Sequence, residues 1–363
     1  MKRFEKPIFV TRPYLPSLDD FKMGIEEIWH NQWLTNNGPL LCRFQARLSE
    51  YLGVSERNLA LFSNGTLALE LGCQAAGIAG GDVITTPFTF VATSHALKRV
   101  GATPVFADVD QDTLCLSPEK AEALITSRTK AIVPVHVYGH PCDVEGFRKL
   151  GERYGVKIIY DAAHAFGIKE LVSCGDMTMY SFHPTKLFHS CEGGLLVFKD
   201  AELQEKLFEL RNFGIRSETE CMDVGSNAKM NELQALMGLE CLRHVDGILE
   251  RRRKIFEVYQ RELEGCRELR ILPYSGNKAY VPILLKDFET RERVYEELKI
   301  KCNVYSRRYF YPLLTDFAPY LYARGTCPVA ESASRRVLTL PTYHALGLDE
   351  VREIATAVKE IIK

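Results

Sequence analysis

Short, continuously apolar runs alternate with helical segments along most of this chain. Such runs have no polar side, which is typical of strands buried between two layers of helices. The alternation predicts the α/β class, with a large, mostly parallel sheet. The predicted strands are residues 59–62, 83–86, 103–106, 131–137, 156–160, 177–182 and 194–198, the last two forming a closely connected pair.

Apolar residues at helical spacing predict the helices between these strands. They cover residues 19–33, 41–52, 66–76, 89–99, 118–125 and 144–154, followed by one long helix over 232–262. Beyond about residue 245 the pattern changes to isolated strands at 280–285 and 337–340, between helices at 289–298 and 348–362. We therefore expect a large domain with an N-terminal arm over residues 1–245 and a smaller C-terminal α/β domain over residues 246–363.

The composition argues against several classes of partner. The 363 residues include 46 Lys and Arg against 47 Asp and Glu, which gives no general attraction to nucleic acid or to anionic lipid. The eleven cysteines form no C-x-x-C pair, so we expect reduced thiols and no zinc site. No run of about 18 apolar residues occurs and no export signal is recognisable, so we expect a cytoplasmic protein without a membrane span.

An acid and a lysine each follow one of the apolar runs. Asp161 follows the run 156–160, and Lys186 follows the run 177–182. A buried carboxylate needs a cationic partner, and a desolvated lysine has the lowered pKa of an amine that attacks an aldehyde. The pair therefore indicates pyridoxal 5'-phosphate (PLP) and amine chemistry. Other interpretations stay open for single residues: a helix cap or a metal ligand shared with His164 for Asp161, and a solvated side chain for Lys186.

The string at 62–66 ends a strand and opens a helix, where free backbone N–H groups can hold a phosphate. Gly65 permits close approach of the backbone, and the Thr66 hydroxyl can donate to a phosphate oxygen. Capping of the helix by Ser63 or Asn64 with nothing bound is the commoner explanation of such a string. At the next junction of strand and helix, Phe88 either stacks on a flat cofactor or belongs to the core.

The histidines at 136, 140, 164, 183 and 189 match no common spacing of metal ligands, so we expect no metal. His164 follows Asp161 by three residues and can reach the ring oxygen of a bound cofactor or stack near it. Arg307 and Arg308 precede an aromatic segment at 309–311. This pair is either solvated or a contact for a diphosphate or nucleotide.

Five strings of the chain resemble the DegT/DnrJ/EryC1/StrS family of PLP-dependent sugar aminotransferases, over nearly the whole length. They are WLTNNG at 33–38, SNGTLAL at 63–69, PFTFVAT at 87–93, DAAHA at 161–165 and SFHPTK at 181–186. The resemblance implies an aspartate aminotransferase-like architecture (PLP fold type I). It also implies a homodimer with active sites at the subunit interface.

The resemblance assigns roles by position. Lys186 would bind PLP covalently and carry the proton between cofactor and substrate, while Asp161 pairs with the pyridine nitrogen. Asn227 would reach the phosphate bound in the neighbouring subunit. The other implied cofactor contacts are Gly65, Thr66 and Ser181 at the phosphate, Phe88 stacked on the ring, His164 beside the ring oxygen, and His183.

The implied substrate contacts are Thr35, Asn37, His183, Lys229, Arg308 and Tyr311. Relatives often have Arg where this chain has Lys229. In this family a nucleotide-linked keto sugar receives an amino group at C3 or C4, and glutamate is the expected donor in a two-stage exchange.

His183 and Glu192-Gly193-Gly194 are more typical of 4-aminotransferases in this family. The first choice of acceptor is therefore a dTDP-4-keto-6-deoxyhexose, converted to the 4-amino-4,6-dideoxy sugar for pathways such as O-antigen lipopolysaccharide. A 3-aminotransferase, a UDP-4-keto amino sugar as acceptor and a non-catalytic regulatory relative stay open. A dehydratase of the same family would carry His in place of Lys186, so the lysine argues against it.

Overall fold

The computed structural model describes residues 1–272 and 276–363. In these ranges fourteen strands form four sheets. The strands are β1 Ile8–Phe9, β2 Leu59–Phe62, β3 Asp82–Thr85, β4 Thr103–Phe106, β5 Thr129–Val133, β6 Lys157–Asp161, β7 Met177–Ser181, β8 Gly194–Phe198, β9 Ile215–Ser217, β10 Glu220–Cys221, β11 Leu269–Ile271, β12 Val281–Leu285, β13 Val304–Tyr305 and β14 Val337–Leu340.

Twelve α-helices lie in the same described ranges. Within residues 1–272 and 276–363, none of the helices is both long and apolar enough to cross a membrane. The helices are α1 Leu18–Asn31, α2 Pro39–Leu52, α3 Gly65–Ala75, α4 Val91–Arg99, α5 Pro118–Glu122, α6 Val144–Tyr154, α7 Leu203–Leu210, α8 Glu232–Leu242, α9 Val245–Leu263, α10 Phe288–Cys302, α11 Pro328–Arg336 and α12 Leu348–Ile362.

The central sheet has seven strands in the order β2-β8-β7-β6-β5-β3-β4. Strand β8 runs antiparallel to both of its neighbours, and the other pairs in the sheet are parallel. Alternate residues of one strand enter two separate apolar cores: Leu59 and Leu61 lie in one, Ala60 and Phe62 in the other. Both faces of the sheet are therefore covered, and the predicted α/β class with a mostly parallel sheet is confirmed.

The prediction of one helix over residues 232–262 is wrong. The structure has two helices, α8 and α9, because His244 adopts φ −115° and ψ 1° between them. Its N–H donates to the carbonyl of Cys241 at 3.1 Å instead of continuing the regular pattern. Neither proline nor glycine stands at the break. Tertiary packing decides it, since α8 packs on α2 and α9 packs on α12.

The predicted strand over residues 131–137 ends early, at Val133. Pro134 has no N–H for a continued ladder, and the chain turns at Tyr138, whose φ is 56°. The segment still follows the neighbouring strand: Asp161 N donates to Pro134 O at 2.9 Å, and His136 N donates to Asp161 O at 3.0 Å. These bonds hold the turn at 134–138 over the end of β6.

The C-terminal part contains the antiparallel sheet β11-β12-β14, against which α10 and α11 pack. The N-terminal arm reaches this part, since β1 pairs in parallel with β13 through Ile8 and Val304. Helices α7 and α11 and strands β1, β9, β10, β11 and β13 were not predicted. The domain boundary at residue 245 stays a prediction.

Candidate active site

The carboxyl ends of three strands of the central sheet bring three predicted site residues to one edge of the sheet. Asp161 ends β6, Ser181 ends β7, and Gly65 opens α3 shortly after β2. Gly65 lies against Ser181 so closely that a Cβ on the glycine would be 2.9 Å from the serine Cβ and 3.1 Å from its Cα. Only glycine allows this approach without a shift of the backbone.

Asp161 is a buried carboxylate with 5% of its surface exposed. Its Oδ2 accepts a 2.8 Å hydrogen bond from the Thr93 hydroxyl, and its Oδ1 accepts one of 3.0 Å from the Ala163 N–H. Burial raises the pKa of Asp161, while these two hydrogen bonds and the charge of Lys186 oppose the rise. A buried carboxylate held in one orientation in this way fits a cationic partner such as a protonated pyridine nitrogen.

Lys186 is partly buried, and its backbone N–H donates to His183 O at 2.9 Å. Burial lowers the pKa of its ammonium group, against the effects of Tyr309 and Asp161 and with a further lowering by Arg307. A lowered pKa increases the neutral amine fraction that a nucleophile or proton carrier requires. The structure thus brings Lys186 and Asp161 within electrostatic reach of each other.

The start of α3 combines a cap with free helix-end N–H groups. The Asn64 side chain accepts from Leu67 N at 2.9 Å, so the capping interpretation of this string is confirmed. The first bond of the helical pattern runs from Ala68 N to Asn64 O, which leaves the N–H groups of Gly65 and Thr66 ahead of it. Cap and phosphate site are therefore compatible, and the roles of Gly65, Thr66 and Ser181 at the phosphate stay predictions.

His164 is buried near Asp161, and its Nδ1 accepts from Tyr138 N at 3.0 Å. Burial lowers the pKa of His164, and the charge of Lys186 lowers it further. The ring is therefore neutral, with its proton on Nε2, the nitrogen that remains for a cofactor oxygen. Its ring lies 4.7 Å from that of Tyr280 and is parallel to that of Phe310 at 6.1 Å.

Phe88 is fully buried in the apolar core. Its ring meets that of Phe310 edge-on at 5.6 Å and that of Tyr138 at 6.2 Å. The core interpretation of Phe88 is confirmed. Its stacking on the cofactor stays a prediction.

His183 is exposed beside Lys186, and its Nε2 lies 3.6 Å from Oε1 of Glu192. Partial burial lowers the pKa of His183, while Glu192 opposes this and Lys186 adds to it. The Thr185 hydroxyl lies 2.8 Å from Nδ1 and fixes the other side of the ring. His183 therefore stands on the exposed side of Lys186, and its contacts with cofactor and substrate stay predictions.

A cavity of about 310 Å³ is lined by Arg307, which the sequence offered with Arg308 as a diphosphate or nucleotide contact, and by Tyr309, to which the sequence gave no role. Arg308 and Tyr311 line the same cavity, but Arg308 turns to the other side of the chain, where its Nε donates to Glu292 Oε1 at 2.8 Å. Arg307 Nη1 donates to the Tyr309 hydroxyl at 2.5 Å, a contact that the local sequence pattern does not show. Substrate contact by Arg308 and Tyr311 stays a prediction.

A second cavity, of about 500 Å³, is lined by two of the remaining predicted residues and shares no lining residue with the first. Asn37 and Lys229 line it, and Asn37 Oδ1 accepts from the buried Arg211 at 3.0 Å. Thr35 and Asn227 are exposed. Their contacts with substrate or with a neighbouring subunit stay predictions.

The part of the chain described, residues 1–272 and 276–363, contains no group of three or more His, Cys, Asp and Glu side chains that could hold a metal ion. Around Asp161 and His164 the hydrogen bonds come from a hydroxyl and from backbone N–H groups. The edge of the sheet offers instead a carboxylate, an amine, a neutral imidazole and a helix start. These are the groups that a PLP molecule requires at its nitrogen, aldehyde, ring oxygen and phosphate.

Known proteins are similar to this chain in sequence and in fold. The dTDP-4-amino-4,6-dideoxy-D-glucose transaminase of Shigella dysenteriae is 42% identical over 369 residues, which cover 98% of this chain and all of the relative. The Escherichia coli protein of the same name is 41% identical, over 96% of this chain and 97% of its own. The crystal structure of DesI in the presence of its TDP-sugar product has a TM-score of 0.91 and 35% identity, over 99% of this chain and 94% of that one.

The fold and these likenesses define a PLP-dependent sugar aminotransferase. The chain belongs to the DegT/DnrJ/EryC1/StrS aminotransferase family, whose sequence profile matches residues 18–359. The predicted family, the predicted aspartate aminotransferase-like fold and the predicted cofactor are confirmed.

Proposed function

We propose that this protein transfers the amino group of glutamate to C4 of dTDP-4-keto-6-deoxyglucose, giving dTDP-4-amino-4,6-dideoxyglucose and 2-oxoglutarate. The observation that carries this proposal is the 42% identity, across 98% of the chain, with the Shigella transaminase named for that amino sugar. His183 and Glu192, which favour C4 over C3 in the sequence, lie 3.6 Å apart next to Lys186. A 3-aminotransferase and a UDP-4-keto amino sugar remain the alternatives to be tested.

When bound, PLP supplies an electron sink for the carbon that loses or gains a proton. Asp161 keeps the pyridine nitrogen protonated, because a buried carboxylate held by Thr93 and Ala163 is stabilised by a positive charge facing it. His164 is neutral and has only its Nε2–H left to donate toward the ring oxygen. These residues set the charge and orientation of the cofactor.

Lys186 is the group that moves protons. Burial lowers the pKa of its amine, so the neutral form that accepts a proton is more abundant than in an exposed lysine. It takes a proton from the α-carbon of glutamate in the first stage and delivers one to C4 of the sugar in the second. One site serves both stages because the two carbons occupy the same position in turn.

The proposal includes a homodimer in the cytoplasm, with Asn227 acting at the neighbouring subunit's phosphate site and Thr35, Asn37 and Lys229 at the substrate. Large apolar side chains are exposed just before Thr35, which supports an interface in this region. They are Trp29, Trp33 and Leu34, with 67%, 49% and 57% of their surface exposed. The amino sugar would serve a surface polysaccharide such as an O-antigen.

The test is incubation of the PLP-loaded protein with glutamate and each of three acceptors, a dTDP-4-keto, a dTDP-3-keto and a UDP-4-keto sugar. We expect amination of the dTDP-4-keto sugar, with the new nitrogen located on C4 by NMR. Lys186→Ala serves as the inactive control. A nitrogen on C3, or a preference for the UDP sugar, would replace the proposal by the corresponding alternative, and an unchanged cofactor spectrum with glutamate would favour a regulatory protein.

A further inference from the structure

The backbone of Arg307 is anchored to a strand, and its side chain is exposed. Its N–H donates to Thr339 O at 3.1 Å, and Thr339 N donates back to Arg307 O at 2.8 Å, which anchors it to β14. The side chain is exposed, and its Nη1 donates to the hydroxyl of Tyr309 at 2.5 Å. A guanidinium that makes one hydrogen bond to a phenol hydroxyl keeps most of its donors for another partner.

In the described part of the chain the charge of Arg307 has no acidic partner. Within residues 1–272 and 276–363, no carboxylate lies within ion-pair distance of its guanidinium. The adjacent Arg308 is the contrast, because both Glu292 and Glu296 lie within that distance of it. Arg307 is thus positioned to bind an anion that comes from outside.

Ring contacts connect Arg307 with the predicted cofactor site. The guanidinium carbon lies 5.4 Å from the centre of the Tyr309 ring. That ring lies 6.0 Å from Tyr280, and Tyr280 lies 4.7 Å from His164. The charge of Arg307 also contributes to the lowered pKa of both Lys186 and His183. Arg307 therefore faces the reacting centre.

The two substrates differ in where they carry negative charge. Glutamate carries a carboxylate on the reacting carbon itself and a second one on its side chain. The keto sugar has no acid at C4, and its diphosphate is attached at C1, on the opposite side of the sugar ring. A planar guanidinium next to the reacting centre therefore matches the donor, because it binds a carboxylate through two parallel hydrogen bonds.

We infer that Arg307 binds a carboxylate of the amino donor, with Tyr309 holding the guanidinium in orientation. Arg307 then acts in the half of the reaction that consumes glutamate and is dispensable in the half that uses the sugar. The inference rests on the proposed function only in taking glutamate as the donor.

Equilibrium binding of glutarate gives a test that needs no turnover. Glutarate has both carboxylates of glutamate and no amine, and calorimetry on the PLP-loaded protein measures its dissociation constant. We expect Arg307→Gln to raise this constant about 10- to 100-fold, as for loss of hydrogen bonds between charged groups. Arg307→Lys keeps the charge and should lose less. Arg293→Gln, an exposed arginine on α10, is the control and should bind glutarate like the unaltered protein.

The two half-reactions are then measured separately by the absorbance of the cofactor. With glutamate, Arg307→Gln should lose about the same 10- to 100-fold in second-order rate constant. With protein preloaded with pyridoxamine phosphate, the rate with the keto sugar should stay within about twofold of the unaltered protein. An equal loss in both halves would make Arg307 a nucleotide contact and overturn the inference. A loss in neither half would overturn it too.

Two measurements separate the role of Arg307 from an effect on folding and from a failure of the proposed function. Arg307→Gln should unfold within about 2 °C of the unaltered protein, because exposed substitutions away from packed contacts change stability little. A failure of the unaltered protein to react with glutamate would count against the proposed function alone. Glutarate binding would still decide the role of Arg307, because weaker binding in Arg307→Gln supports it and unchanged binding refutes it.

Discussion

The hydroxyl of Thr93 donates a 2.8 Å hydrogen bond to Oδ2 of Asp161, a residue 68 positions further along the chain. Thr89 Oγ1 lies 3.0 Å from Thr93 Oγ1, and all three side chains are buried. The hydrogen bond between Thr93 and Asp161 links the start of α4 to the end of β6. This hydrogen bond, with the one from Ala163, holds the carboxylate in one orientation. The predicted partner of the carboxylate is the cofactor nitrogen.

Thr93→Val should weaken PLP binding. Valine has nearly the shape of threonine but cannot donate, so the buried carboxylate loses one of its two hydrogen bonds, at a cost of about 1–3 kcal/mol. Absorbance titration with PLP measures the effect. Thr93→Ser keeps the donor and should bind PLP nearly as the unaltered protein does, whereas equal weakening in Ser and Val variants would point to packing instead.

Gly65→Ala should disturb both the fold and the phosphate site. The new Cβ would lie 2.9 Å from Ser181 Cβ and 3.1 Å from Ser181 Cα, so a strand end must shift. We expect a loss of about 1–3 kcal/mol in the free energy of unfolding, measured in urea, together with weaker PLP binding. Gly247→Ala is the control, because its Cβ would have no neighbour within 4 Å and alanine favours a helix. Equal stability of the two variants would show that Ser181 can move away from the new Cβ at little cost in free energy.

Lys186 should give the PLP-free protein a characteristic pH dependence. Burial lowers the pKa of its ammonium group in the folded state. Between that lowered pKa and the ordinary value near ~10.4, the unfolded chain binds more protons than the folded one, so stability rises with pH. Compared with Lys186→Met, the free energy of unfolding should therefore climb across this window.

The control for this pH dependence is Lys130→Met, a substitution of an exposed lysine. It should leave the slope of stability against pH as in the unaltered protein. Chemical denaturation at a series of pH values gives the comparison. A flat difference between the unaltered protein and Lys186→Met would mean that the folded state does not perturb this amine.

The parts of the fold that follow from local pattern were predictable from the sequence. The buried strands appear as apolar runs, and Asp161 and Lys186 stand out because each leaves such a run. The break between α8 and α9 at His244 was not predictable, because it depends on the packing of each helix against a distant partner. The helical spacing of apolar residues continues through His244 and gives no sign of the break.

The roles of the two neighbouring arginines also depend on a contact with a distant part of the chain. The sequence places Arg307 and Arg308 together before an aromatic segment, and either could have met a substrate. Which of them turns toward the site depends on Glu292 in α10, which binds Arg308 and leaves Arg307 to Tyr309. Glu292 lies 16 positions from Arg308 in the chain, so the local sequence pattern does not show this contact.

The role of Lys186 is tested most directly by fixing the cofactor in place. The PLP-loaded protein is reduced with borohydride and digested with trypsin, and the phosphopyridoxyl group is located by mass spectrometry. We expect the group on Lys186 alone, and none fixed in Lys186→Ala. A phosphopyridoxyl group on any other lysine, or one still fixed in Lys186→Ala, is incompatible with Lys186 as the lysine that binds PLP.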